Sequence, residues 1–137
     1  MKIYFTASIR GGRKELPMYE EIISLLEPHG TILTEQVADQ EISHHGETEL
    51  TASEVLAREI ERLQESDRVI AEVTTPSLGV GATIEKALEF KKPVVCLYHG
   101  KHTDKLSAMI KGNSEIKIYT YENENDLKKI IETIFAT

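Results

Sequence analysis

Short β-forming runs alternate with helical periods along this chain, and that alternation limits its fold more than any other feature. The runs are KIYFTA at 2–7, TILT at 31–34, RVIAEV at 68–73, PVVCLY at 93–98 and IKIYT at 116–120. Leu16, Tyr19, Ile22, Ile23 and Leu26 recur at helical spacing, and Pro28, His29 and Gly30 stop that helix. Thr51-Ala52-Ser53-Glu54 fits a capping box, opening a helix whose buried stripe is Val55, Leu56, Ile60 and Leu63. A further helix is expected from Ala82 to Phe90, with Ile84, Ala87 and Leu88 inward. LSAMI begins a short helix or turn near Leu106, and Asn125 to Phe135 closes the chain as an amphipathic helix. Strands joined through helices return in the same direction, so the expectation is a parallel α/β sheet with helices on both faces. The runs at 68–73 and 93–98 are nearly continuous apolar stretches, as strands covered on both faces require.

At 137 residues the chain suits a single domain, 1–137, that buries roughly two-thirds of its unfolded surface. Acids outnumber bases 23 to 16, a formal charge of −7. Such a chain is a poor ligand for a nucleic acid polymer, but a locally basic pocket can still hold one small anion. The single cysteine, Cys96, excludes an intrachain disulfide framework, fits a reducing, cytoplasmic setting and lies in a strand as a core residue. The start MKIYFTASIR reads as a strand and not as a signal peptide, and no apolar run approaches the ~20 residues of a membrane span.

In parallel sheets ligands bind beyond the carboxyl ends of the strands. Three suggestive segments fall on that rim: SIRGGR (8–13), PSLGVG (76–81) and the stretch around Ser107. SIRGGR offers a serine hydroxyl, glycines that admit a close backbone approach and two arginines that grip phosphate, although surface turns carry the same pattern. PSLGVG adds the Ser77 hydroxyl, Gly79, Gly81 and a helix N-terminus, or it is a strand-to-helix turn needing glycine geometry. It lacks the Gly-Lys-Ser/Thr ending of a Walker loop and the position of a dinucleotide fingerprint. Glu72 ends an apolar strand, either at the site rim or as a solvated strand end. Glu59 sits among Arg58, Glu61 and Arg62, a pattern that also fits an ion-paired surface. His44 and His45 are adjacent on a polar stretch, 35–50, that reads as a loop or lid; they lack the further ligands of a metal site.

Taken together, YFTASIRGGR, LTEQVA, LQESDRVIAEVTTPSLGVG and LSAMIKG resemble the 2'-deoxynucleoside 5'-phosphate N-hydrolases, within the wider nucleoside 2-deoxyribosyltransferase family. The likeness runs from Lys2 to about Tyr119. It implies a flavodoxin-like, Rossmann-like three-layer fold with a five-stranded parallel sheet. It implies a homodimer with sites near the subunit interface, no cofactor, no metal and no membrane partner. The implied substrate is a deoxynucleoside 5'-monophosphate, cleaved at its N-glycosidic bond to 2-deoxyribose 5-phosphate and a free base. By position, the resemblance puts Tyr4 at the reacting sugar and Ser8, Ile9, Arg10 and Gly11 along the cleft. Ala7 stands where the family usually has glycine. Ser77 and Gly79 would contact the phosphate, with Ser107 reaching it from the partner subunit.

Two further departures matter more. Its nucleophilic glutamate is replaced by Thr83, and its sugar-assisting aspartate by Glu59. A retaining route needs a carboxylate to attack C1' and form a glycosyl-enzyme ester. Threonine has no charge, and its hydroxyl is weak without a base. Glu85 lies ~200° around a regular helix from Thr83, so only a local shift would bring it into the cleft. Glu59 is one methylene longer than aspartate, long enough to act as general base on water in a direct displacement. Three readings follow: an N-hydrolase of monophosphates, favoured here; a nucleotide-binding or regulatory homologue without catalysis; and a deoxyribosyltransferase acting on unphosphorylated nucleosides.

Overall fold

The computed structural model describes residues 1–8, 16–33 and 50–136. Its elements are β1 (Lys2–Ala7), α1 (Leu16–Leu26), β2 (Thr31–Ile32), α2 (Ala52–Glu65), β3 (Arg68–Glu72), α3 (Leu78–Glu89), β4 (Val94–His99), α4 (Ala108–Lys111), β5 (Ile116–Tyr121) and α5 (Glu124–Phe135). The strands form one five-stranded sheet in the order β2-β1-β3-β4-β5. Every strand pair is parallel. The doubly wound fold expected from the alternation and from the resemblance is therefore present. Strand order reverses between β1 and β3, the point at which such sheets open a crevice at their carboxyl edge.

Side chains alternate across each strand and so fill two cores. Ile3, Phe5, Ile70 and Leu97 face α1 and α5, where Tyr19 and Leu127 meet them. Tyr4, Val69, Ala71 and Cys96 face the other way, against Leu63 of α2 and Ile84 of α3. Register lines Ala7, Glu72 and Leu97 across the carboxyl rim. Gly30 is needed for close approach, since a Cβ there would lie 2.3 Å from the Met1 carbonyl oxygen.

Two helices depart from expectation. α3 begins at Leu78 instead of Ala82, because Ser77 caps it by accepting the Val80 amide at 3.2 Å. PSLGVG is therefore mostly the first turn of a helix. α2 has the expected capping box at Thr51 and Glu54, but only Leu63 of the expected stripe is buried. Val55 and Ile60 are half-buried, and Leu56 is 57% exposed. Leu56 shares the helix face of Leu63 but lies two turns earlier, ~10 Å towards the N-terminus of the helix. Among the described residues no helix is long and apolar enough to cross a membrane.

Candidate active site

Tyr4, in the middle of β1, points into the core beneath α2 and α3 and is 2% exposed. Its hydroxyl donates to Glu59 Oε1 at 2.7 Å. Burial, and then the Glu59 charge, push the Tyr4 phenol well above the usual tyrosine range. The Thr83 hydroxyl beside it, and Arg62, pull the other way. Tyr4 thus remains a protonated donor throughout the ordinary pH range. Three elements, β1, α2 and α3, bring Tyr4, Glu59 and Thr83 to one place.

Glu59 is ion-paired, as its arginine neighbours in the sequence suggest. Its Oε2 accepts from Arg58 Nε at 2.6 Å and from Arg62 Nη1 at 3.3 Å, so an ion pair is present. The same carboxylate also holds Tyr4. A carboxylate oxygen has two acceptor positions. Oε2 uses both on the arginines, whereas Oε1 uses one on Tyr4 and can receive a water on the other. Its side chain is 20% exposed.

The N-terminal turn of α3 stands beside this group. Ser77 is its cap, and the amides of Leu78 and Gly79 precede the first helical carbonyl able to serve them. Neither Gly79 nor Gly81 has the positive φ that would demand glycine. A Cβ at Gly79 would come no nearer than 3.8 Å to Ser77 Oγ, and one at Gly81 would meet nothing within 4 Å. Among the described residues, neither backbone nor packing calls for these glycines, so the turn-geometry reading fails and an uncovered helix face remains. Gly79 and Thr83 lie four residues apart, on that same face.

Of the other expected site residues, Ala7 and Ser8 are buried at the end of β1. Ile9, Arg10, Gly11 and Arg13 lie outside the described residues, as do His44 and His45. Ser107 is exposed and caps α4 by accepting the Met109 amide at 3.2 Å. Glu85 is exposed on the outer side of α3, where Lys86 pairs with Glu89 at 3.4 Å. A regular helix runs through this segment, so Glu85 is not brought to Tyr4. Among the described residues no cluster of three or more His, Cys, Asp or Glu could hold a metal ion.

Glu72 was open to reading as a solvated strand end, and it is fully buried instead. Its Oε1 accepts the Thr74 amide at 2.7 Å, and its Oε2 accepts the Thr74 hydroxyl at 2.7 Å. The Tyr121 hydroxyl also donates to Oε2. The sequence signal was a carboxylate inside an apolar run with no basic neighbour; its partner tyrosine lies 49 residues away.

Comparison with known proteins bears on this arrangement. A protein of Nematostella vectensis, provisionally named 2'-deoxynucleoside 5'-phosphate N-hydrolase 1, is 47% identical over 133 residues, covering 92% of this chain and 90% of that protein. The 5-hydroxymethyl-dUMP N-hydrolase of Homo sapiens is 39% identical over 137 residues, 97% of this chain and 78% of its own length. Among solved structures, the CMP N-glycosidase BcmB of Clostridium botulinum superposes with a TM-score of 0.70 at 19% identity, over 97% of this chain and 99% of its own. That last likeness is one of fold. The sequence model of the family described as nucleoside 2-deoxyribosyltransferase matches residues 3–127. The chain belongs to the nucleoside 2-deoxyribosyltransferase family.

Proposed function

We propose that this protein hydrolyses the N-glycosidic bond of 2'-deoxynucleoside 5'-monophosphates, releasing 2-deoxyribose 5-phosphate and the free base, by direct attack of water. The observation that carries this reading is the Tyr4–Glu59 hydrogen bond with Thr83 beside it. The names of its relatives in Nematostella vectensis and Homo sapiens supply the substrate class.

The absent carboxylate at Thr83 sets the route. Attack by the Thr83 oxygen would join sugar to protein as an acetal, which water does not open as it opens a glycosyl ester. Glu59 Oε1 instead orients a water towards C1' and takes its proton as the oxygen bonds to carbon. The C1'–N bond breaks with its electron pair on the base, and that proton is finally delivered to the base through solvent. The carboxylate returns to its starting state. Tyr4 keeps Oε1 in place, and the arginines hold Oε2 away from the sugar. The α3 N-terminus, with Ser77 and Gly79, takes the 5'-phosphate. Ala7, Ser8, Ile9, Arg10 and Gly11 line the rest of the cleft.

The protein acts as a homodimer in this reading, with Ser107 of a second copy completing the phosphate site. What supports it is a set of large apolar side chains left in water: Leu78 at 96%, Met109 at 78% and Leu56 at 57% exposure. Leu56 lies about one turn before Glu59, and Leu78 adjoins Gly79. Leu78→Glu should weaken self-association as measured by sedimentation.

Thr83 also favours a second reading, a nucleotide-binding homologue that does not turn over. Transfer between bases has less support, because a covalent deoxyribosyl-enzyme would need the missing carboxylate. One assay separates them. Purified protein is incubated with each deoxynucleoside monophosphate, and separately with deoxynucleosides plus an acceptor base. Free base from monophosphates alone is the expected result, and exchanged nucleoside would overturn it. Nucleotide binding with neither product, at high protein concentration, would leave the binding reading.

A further inference from the structure

We propose that Glu72 is a positioning residue that fixes the α3 N-terminus as an anion site, acting through Thr74; this rests on the hydrolase reading above. The carboxylate ties three strand ends together. It holds both the amide and the hydroxyl of Thr74, the second residue after β3. It accepts from Tyr121 at the end of β5. The Thr74 hydroxyl in turn accepts the His99 amide, at the end of β4, at 2.8 Å. The His99 and Tyr121 rings stack, with centroids 4.9 Å apart and planes 2° from parallel. Thr74 is thereby held at two atoms and oriented by a third segment.

Only Thr75 and Pro76 separate this anchor from the Ser77 cap. Proline fixes its own φ near −65° and biases the residue before it towards extended backbone. The short bridge is stiff, so a fixed Thr74 sets where Ser77 and the Gly79 amide stand. Glu72 lies on the α1/α5 face, away from Tyr4 and Thr83, and acts on the site through this segment.

The probe is 2-deoxyribose 5-phosphate, which is bound without turnover. Glu72→Gln keeps the shape of the side chain but loses one acceptor, and Thr74→Val removes the hydroxyl. Both variants should bind the sugar phosphate about tenfold more weakly than wild type. The amides of Thr74, Thr75 and Ser77 to Val80 should exchange with solvent about tenfold faster. Thr74→Ser, which keeps both contacts, should behave as wild type. Leu97→Ala, a core change in the same layer, should lower stability without lowering the affinity. Unchanged affinity in both Glu72→Gln and Thr74→Val, or unchanged exchange of those amides, overturns the proposal. If wild type ignores the sugar phosphate, the hydrolase reading fails instead, and the exchange comparison alone then decides for or against the clamp.

Discussion

Glu59 and Glu72 each receive a hydrogen bond from a tyrosine hydroxyl, Tyr4 on one face of the sheet and Tyr121 on the other. Beyond that they differ. Glu59 rides on a helix, keeps a fifth of its side chain in solvent (20%) and leans on two arginines. Glu72 ends a strand, has no exposed surface, and receives hydrogen bonds from Thr74 and Tyr121. A carboxylate that must meet a water and a sugar has to stay reachable, with its charge balanced from outside. A carboxylate that fixes backbone needs the reverse, a dry site where each hydrogen bond counts more. The same side chain can thus do chemistry on one face and set geometry on the other.

The sharpest way to break this contrast is through turnover. Glu59→Gln removes the proton acceptor but keeps the hydrogen bond from Tyr4. Base release should fall about 10²- to 10⁴-fold, the usual worth of a positioned general base. A variant that releases base at the wild-type rate would make Glu59 a surface ion pair after all. Thr83→Glu tests the same site from the other side. It should raise base release about tenfold or more. It should also leave a protein adduct heavier by one deoxyribosyl phosphate, seen by mass spectrometry after a rapid acid quench.

Stability should reverse the ranking. Glu72→Gln leaves a buried network short of an acceptor and should cost roughly 1–3 kcal/mol. Glu59→Gln disturbs partly solvated ion pairs and should cost roughly 0–1 kcal/mol. Urea midpoints at unchanged slope measure both. Equal losses would mean that burial does not separate the two carboxylates.

The sheet was legible because β-forming runs and helical periods are local signals, and their alternation leaves few topologies. The start of α3 was not, since glycines at 79 and 81 suggest a loop until the Ser77 cap is seen to carry the helix through them. Leu56 obeyed its helical period and still reached solvent, because a period gives a direction and does not show where the sheet beneath it ends. Glu59 could be named as a candidate, yet its bond to Tyr4 spans 55 residues and has no local trace. Glu72 was harder still: its role depends on Tyr121 and His99, which only the strand order brings to one rim.

Alkali divides the two carboxylates again. Burial, and then the Glu72 charge, push the Cys96 thiol up to about 12. Tyr4 is raised by burial and by Glu59. In the unfolded chain a thiol loses its proton near pH 8.5 and a tyrosine near pH 10. Between those values and the folded ones, the unfolded state binds fewer protons, so stability falls as pH rises. Each group contributes ~1.4 kcal/mol per pH unit once its unfolded counterpart is ionised. The thiol contribution should therefore run from about pH 8.5 to about 12, and that of Tyr4 should add to it above about pH 10. Cys96→Ser should flatten the first part of the profile and Tyr4→Phe the second, compared by slope because both variants also alter packing. Glu59→Gln removes a charge that holds the Tyr4 proton, so it should soften only the loss above about pH 10. Glu72→Gln should soften only the thiol step. If each carboxylate variant moved both steps equally, Glu59 and Glu72 would not act on separate groups.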